Sequence, residues 1–378
     1  MKKYYNCYIH IPFCDLKCKY CRFASIWTIQ NLHIEKYVSF LCKEIEENKY
    51  NNWKIIIDTI YFWWWTPSVL SEKNLEKIFE TLQKKFIFSK NIEITMESTP
   101  NNITIKNLEN WEKFWINRLS IWLQTLNKKA LEEIWRWKKW DINLALKNLS
   151  DYFQDNWKIK NISFDFIIWL PYVKKWEILD NIKYVLKNYN FVKHISVYML
   201  EDYYNPDKIV ENKFDNITYP KNWKNLWLEE KDFFKEYSSI KKYLQKNWFY
   251  NYEISNFAKK WFECKHNKWY WEHKETLAFW MWASWFINNT RYLNADNFKD
   301  YYSFKKIFEE KLDFDDIFLE KVMFSLRTTG LQKEIYERLN KEKIDFFIKN
   351  WYLEKKSNKI ILLDKWVLVM DYILREII

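Results

Sequence analysis

Tyr8-Ile-His-Ile-Pro-Phe-Cys14-Asp-Leu-Lys-Cys18-Lys-Tyr-Cys21-Arg-Phe23 is the stretch on which the reading of the whole chain turns. Three cysteines stand at C-x3-C-x2-C spacing, directly after a short apolar run that reads as a strand. Three thiolates on one tight loop can hold three irons of a cubane [4Fe–4S] cluster, because soft sulfur suits iron and the loop can wrap one corner. Three protein ligands leave the fourth iron open to bind a substrate or cosubstrate. A structural zinc site would need a fourth Cys or His, for which Cys7 or His10 could serve. A chance spacing of core cysteines fits poorly with the Asp and Lys residues interleaved among them.

A chain of 378 residues can bury a large core and divide into two or three domains. Six cysteines, three of them clustered, with no secretory signal, indicate a reducing cytoplasm rather than a disulfide framework. No stretch approaches the roughly 20 apolar residues of a membrane span. The net charge of +11 comes from 54 Lys and 7 Arg spread along the chain among many Asn. That dispersion reads as a compositional bias, and no nucleic-acid partner is expected from it.

The chain has 25 Trp and one Gly, Gly330. Ordinary usage would give roughly 26 glycines, and folds need them where φ is positive or backbones approach closely. The tryptophans stand where such glycines belong. Trp63-Trp64-Trp65-Thr66-Pro67-Ser68 and Trp169-Leu170-Pro171 each follow a strand, and Trp280, Trp282 and Trp285 crowd one short loop. Most of these positions are therefore read as glycine in the native protein, from a lineage that decodes UGA as glycine. The alternative is a protein truly built with three consecutive tryptophans at a ligand loop.

Periodicity gives strands at 4–10, 55–62, 92–96, 117–123, 162–168 and 194–200, separated by helices at 34–47, 71–82, 104–114, 127–134, 141–153 and 178–186. Six strand–helix units imply parallel strands with right-handed crossovers, either a doubly wound sheet or an open barrel. Cys14, Thr66, Glu97, Gln124 and Asp165 fall within or just beyond the C-terminal ends of successive strands, the functional face of barrel-like α/β folds. Residues 201–222 read as an irregular excursion and 226–246 as a helix. From about 290 charged helices are expected, and 351–378 has a helix-and-wing pattern.

C-x3-C-x2-C after a first strand resembles the radical S-adenosylmethionine (SAM) superfamily. The wider string resembles the branch holding oxygen-independent coproporphyrinogen III oxidases and the haem chaperone HemW. With glycine restored, 61–68 resembles that branch's G-G-G-T-P-S motif, and Asn117-Arg-Leu-Ser-Ile-Trp-Leu-Gln124 resembles N-R-L-S-I-G-x-Q. Ile134-Trp-Arg136 resembles I-G-R, Ser163-Phe-Asp165-Phe-Ile-Ile-Trp-Leu-Pro171 resembles S-x-D-L-I-x-G-L-P, and Glu263-Cys-Lys-His266-Asn267 opens a C-x-H-N-x-x-Y-W match. The resemblance implies an α/β fold, a partial (β/α)6 barrel over 1–235. An extension over 236–290 and a smaller helical, winged-helix-like domain over 291–378 would follow. Cys14, Cys18 and Cys21 would ligate the [4Fe–4S] cluster. Tyr8, Trp65 (as glycine), Thr66, Glu97, Gln124, Arg136 and Asp165 would meet SAM. Arg136 suits a bidentate pair with the SAM carboxylate.

The resemblance holds two activities. The oxidase decarboxylates propionate side chains to give protoporphyrinogen IX, and its loop carries a fourth cysteine where this chain has Phe23. The chaperone has Phe there and lacks the oxidase's long N-terminal extension, which is also the expectation for this chain. It binds haem as cargo for membrane respiratory haem proteins, with His266 the candidate haem contact and Cys264 a weaker one. The expected location is cytoplasmic, with peripheral membrane association. Two further readings stay open: a radical SAM enzyme for another substrate, and a zinc-stabilised nucleic-acid binder using the winged-helix-like part.

Overall fold

A computed structural model of the chain describes residues 3–14, 18–21, 31–47, 55–63, 66–134, 136, 141–154, 158–200, 230–363 and 369–378. Six strands form its centre: β1 (Lys3–His10), β2 (Ile55–Trp63), β3 (Ile87–Ser98), β4 (Arg118–Gln124), β5 (Asn161–Ile168) and β6 (Val192–Met199). Each pairs parallel with its predecessor, so spatial order equals chain order. A doubly wound sheet would reverse direction at a switch point. This one never reverses, which is the winding of a barrel.

The barrel stays open because both edges are extended instead of joined. Beyond β6 lie β7 (Phe249–Asn251) and β8 (Asn256–Lys259), with β8 antiparallel to β6. Beyond β1 lie β9 (Thr276–Phe279), parallel to it, and the antiparallel β10 (Ser284–Ile287), β11 (Thr290–Asn294) and β12 (Lys306–Lys311). The expectation of charged helices from about 290 is corrected here, since the sheet runs on to Lys311. Asn288 and Asn289, at φ 51° and 57°, close the two-residue turn that starts β11, a geometry Asn tolerates better than most residues.

The helices α1 (Asn31–Glu47), α2 (Glu72–Lys85), α3 (Ile105–Lys113), α4 (Lys128–Glu133), α5 (Ile142–Tyr152) and α6 (Glu177–Asn188) connect the six strands. Four start where a polar side chain can accept an orphan N–H: Ser71 from Asn74, Thr104 from Asn107, Asn127 from Ala130 and Asp141 from Leu144. Each such cap is worth about 1 kcal/mol. α2 buries Leu75, Ile78, Phe79 and Leu82, the stripe its sequence predicts.

After α7 (Glu230–Lys246), α8 (Lys265–Trp271) and the one-turn α9 (Phe298–Tyr301), a second core forms. It gathers Val322, Leu331, Ile344, Phe347, Leu353, Ile360 and Ile373. These come from α10 (Phe314–Arg327), α12 (Lys341–Lys349), α13 (Met370–Ile377) and a three-stranded antiparallel sheet of β13 (Leu331–Gln332), β14 (Leu353–Lys356) and β15 (Lys359–Leu362), with Ile335 and Tyr336 of the short α11 (Lys333–Tyr336) packed against them. Among the described residues no helix is long and apolar enough to cross a membrane.

Backbone torsions bear on the tryptophans. Of the fifteen non-glycine residues described at positive φ, eight are Trp: 115, 169, 176, 248, 261, 280, 282 and 351. Trp115, Trp248 and Trp351 follow the C-caps of α3, α7 and α12. At two of these ends the hydrogen bonds Trp115 N–H to Glu112 O with Ile116 N–H to Trp111 O, and Trp351 N–H to Ile348 O with Tyr352 N–H to Phe347 O, make Schellman motifs. That left-handed position is the one glycine usually fills. Trp176, Trp261 and Trp282 are the third residues of turns closed by Glu177 N–H to Lys174 O, Phe262 N–H to Lys259 O and Ala283 N–H to Trp280 O. With φ of 69°, 76° and 65° there, these turns also call for glycine. The genuine Gly330 has φ +89°, and a Cβ on it would meet Ile360 O at 2.6 Å.

Candidate active site in the barrel lumen

Strand alternation divides the barrel wall into two faces. Residues such as Ile9, Ile60, Ile94, Leu119, Phe164 and Ile195 are fully buried in the main core. The intervening positions are polar and buried: Asn6, His10, Thr59, Glu93, Thr95, Glu97, Arg118, Ser120, Ser163, Asp165, His194 and Ser196. One face therefore makes the core, and the other makes a polar lumen.

Beyond the end of β1 the three cysteines come together. Cys14, Cys18 and Cys21 are buried together against Tyr20, and none is in a disulfide. Three residues from distant positions reach their sulfurs. Arg136 donates through Nε to Cys18 Sγ at 2.7 Å and through Nη2 to Cys14 Sγ at 3.9 Å. Gln124 Nε2 lies 3.9 Å from Cys18 Sγ and also donates to the Tyr20 hydroxyl. Thr66 Oγ1 is 3.4 Å from Cys14 Sγ. Gln124 holds φ at +64°, a strained conformation of the sort found at functional sites. An ion pair of 2.8 Å between Lys19 and Glu133 ties the loop to the end of α4.

Among the described residues no three His, Cys, Asp or Glu side chains converge on a single ion position. A cubane is gripped at three separate irons, so its thiolates surround it and need not converge. Three buried, unoxidised sulfurs with a guanidinium beside them fit such a cluster, whose thiolates carry negative charge. Cys7, one nominee for a fourth zinc ligand, lies in the apolar core, where burial pushes its thiol up. His10, the other, shares a 2.8 Å hydrogen bond with Tyr8 and stacks on Trp280 at 3.6 Å.

Deeper in the lumen stand Tyr8, Glu97 and Asp165. Tyr61 donates to Glu97 Oε1 at 3.1 Å, and burial, with the charge of Glu97, holds the Tyr8 and Tyr61 phenols well above their ordinary value. Both remain protonated donors. Asp165 accepts from Ser120 at 2.9 Å and from Ser163 at 3.0 Å. Burial raises its carboxyl, against hydrogen bonds from Ser196 and Ser120 and the charge of Arg118.

His266 lies at the start of α8. Glu93 accepts from the Lys265 and His266 N–H groups at 3.0 and 3.1 Å, which favours a carboxylate at that helix end. The His266 ring is 2.8 Å from Thr59 Oγ1 through Nδ1. Thr59 gives its own hydrogen to Asn6 Oδ1, so Nδ1 is the donor and the lone pair sits on Nε2. Burial, with the charge of Arg118, pushes the ring down to about 3. A haem iron reaching Nε2 would have to enter the lumen, or α8 would have to leave it.

The structure thus gathers Cys14, Cys18, Cys21, Thr66, Gln124 and Arg136 at one mouth, with Tyr8, Glu97, Asp165 and His266 in the lumen below. Trp65 and Phe23 lie outside the described residues. Trp63, the one described residue of the three-tryptophan run, packs edge-on to Tyr8 and Tyr61 at 5.6 and 6.0 Å. Reading the sequence missed Thr59, Tyr61, Ser120, His194 and Tyr252 as lumen residues. For Thr59, Tyr61 and Ser120 the signal was every-second-residue polarity in strands whose other face is aliphatic, whereas Tyr252 lies between β7 and β8 and carries no such pattern.

The sequence profile of the Radical SAM superfamily matches residues 8–185. Over 366 residues the chain is 30% identical to heme chaperone HemW of Buchnera aphidicola subsp. Schizaphis graminum, covering 92% of each. Heme chaperone HemW of Bacillus subtilis is 30% identical over 300 residues, covering 78% of this chain and 74% of that protein. Among solved structures, coproporphyrinogen III oxidase HemN from Escherichia coli has a TM-score of 0.79 at 18% identity, covering 99% of this chain and 89% of that one.

Proposed function

Because this chain belongs to the radical SAM superfamily, in the branch that holds HemW and the oxygen-independent coproporphyrinogen III oxidases, we propose that it is a HemW-like haem chaperone. In this reading it binds a [4Fe–4S] cluster and SAM, carries haem as cargo and passes it to respiratory haem proteins at the cytoplasmic face of the membrane. The observation that carries the reading is the end-to-end similarity to HemW of Buchnera aphidicola, 92% of each chain.

Cys14, Cys18 and Cys21 would hold the cluster, with the Arg136 cation beside Cys18 and Cys14 offsetting thiolate charge. When bound, cluster and SAM supply one-electron chemistry at the mouth of the lumen. The chain's own residues bind and orient. Thr66, Gln124 and Arg136 are candidates for the methionine end of SAM, Tyr8 for packing against it, and Glu97 and Asp165 for its amine and ribose hydroxyls. Trp65 joins them only as glycine. We infer that the working protein has glycine at most tryptophan positions, a reading supported by the eight left-handed tryptophans.

The second reading is the oxidase, favoured by the likeness in fold to HemN and disfavoured by Phe23 at the fourth-cysteine position. Anaerobic reconstitution followed by haem titration and a coproporphyrinogen turnover assay separates the two. The chaperone reading expects stoichiometric haem binding without turnover. SAM-dependent formation of protoporphyrinogen IX would overturn it.

A further inference from the structure

Asp165 is the end of a hydrogen-bond chain whose direction can be worked out atom by atom. As a carboxylate it only accepts, so the single hydrogen of Ser163 Oγ, 3.0 Å from Asp165 Oδ1, belongs to that bond. Ser163 Oγ also lies 2.8 Å from His194 Nδ1, and with its hydrogen spent it must accept there. His194 is fully buried, and burial, with the charge of Arg118, holds it well below its ordinary value. It is therefore a neutral ring with one N–H, on Nδ1, and its Nε2 accepts from the Tyr252 hydroxyl at 2.8 Å. Tyr252 in turn accepts from the Cys264 N–H at 3.4 Å. Every dipole in the series Cys264, Tyr252, His194, Ser163 points at the Asp165 carboxylate. Two residues beyond Tyr252, Ile254 N–H donates to Arg327 O at the end of α10 at 3.0 Å.

We propose that Tyr252, His194 and Ser163 are positioning residues that fix Asp165 as an ionised acceptor for a ribose hydroxyl of SAM, and that they tie this pocket to the Cys264–His266 segment and to α10. The proposal rests on the SAM reading of Asp165 given above. None of the three touches the ligand. Besides them, Asp165 faces Ser120 and Arg118 from β4, Ser196 and Tyr198 from β6 and Tyr61 from β2. Arg118 favours the carboxylate, and the Tyr61 phenol stays protonated because burial raises it. Removing donors from the far end of the chain leaves burial less opposed, so the Asp165 carboxyl rises further.

The test is calorimetric SAM binding to the reconstituted protein between pH 6 and pH 8, with methionine as a ligand lacking ribose. Asp165→Asn should weaken SAM roughly tenfold or more, as expected for a lost charge-assisted hydrogen bond, and leave methionine unchanged. Tyr252→Phe and His194→Leu should weaken SAM on the order of threefold to tenfold and add a pH dependence, with affinity lost as pH falls. His194→Asn, which keeps an N–H near the Nδ1 position, should restore most of the affinity. An affected Asp165→Asn beside unchanged SAM affinity and a flat pH profile in Tyr252→Phe would overturn the relay. Unchanged affinity in Asp165→Asn would instead overturn the SAM reading at Asp165. Equal losses for SAM and methionine in Tyr252→Phe would mark a general structural role and also overturn the relay.

Discussion

Replacing Trp115, Trp248, Trp261 and Trp351 together by glycine is expected to stabilise the protein. All four have positive φ, a conformation that costs an L-residue about 1–2 kcal/mol. All four are also exposed, at 54%, 72%, 82% and 70%, so their indoles contribute little burial. Glycine loses more chain entropy on folding, which takes back about 0.5–1 kcal/mol per site. The net gain is about 0.5–1 kcal/mol at each site, on the order of 2–4 kcal/mol for the four; Trp115 and Trp351 sit on separate elements and should add, whereas Trp248 and Trp261 flank the paired residues Phe249 and Lys259 and are the pair that can couple. That is a large share of a stability of roughly 5–15 kcal/mol. The assay is urea unfolding of the Trp, Gly and Ala versions, followed by circular dichroism. Alanine removes the indole but keeps the Cβ, so the four-alanine version should gain almost nothing. Trp111→Gly is the opposite control: the residue lies in α3, buried, and its loss should cost about 3–5 kcal/mol. Equal stability of the glycine and alanine versions would refute the torsional argument. Trp at 63–65 in peptide mass spectra of the native protein would refute the glycine reading itself.

Serine at Cys14, Cys18 or Cys21 should abolish iron incorporation on anaerobic reconstitution, whereas serine at Cys7, Cys42 or Cys264 should leave it intact; iron loss in Cys7→Ser would contradict the three-thiolate loop. His266 has a folded pKa of about 3, below its unfolded value, so its contribution is fully present above pH 6.5 and drains away as pH falls toward 3. The slope is at most about 1.4 kcal/mol per pH unit, and urea midpoints at pH 7 and pH 5 should differ less in His266→Gln than in the parent. Haem binding in the same variant also tests the contact, and an unchanged titration would move the haem site elsewhere. Glu44 behaves oppositely. Burial raises it to about 7 while it accepts from Asn294 at 2.8 Å and Tyr301 at 2.7 Å. Its proton is held in the folded state, so stability falls as pH rises through 7, and Glu44→Gln should flatten that decline between pH 6 and pH 8.

The cysteine loop and six strands were legible because their signals are local: three soft ligands within eight residues, and aliphatic runs at period two. β12 was not. Lys306-Ile-Phe-Glu-Glu-Lys311 is exposed along its whole length, so no apolar alternation marks it, and its partner β11 depends on a turn at Asn288-Asn289 that can as easily be read as loop. The relay was illegible for another reason. Ser163, His194, Tyr252 and Cys264 span a hundred residues, and only the antiparallel return of β8 against β6 brings the last two to the lumen. The tryptophans divide along the same line between local and spatial causes. Trp115, Trp248 and Trp351 need glycine for torsion, a demand set by the helix ends they follow. Trp63 is not among the left-handed residues; it ends β2 against Tyr8 and Tyr61, where glycine would serve by giving space. Gly330 meets both demands at once, with φ +89° and no room for a Cβ. Two separable outcomes follow. Glycine at the torsional sites should raise stability without touching ligand affinity, and glycine in place of Trp63, which stands half-exposed against Tyr8 and Tyr61, should raise SAM affinity with little change in stability.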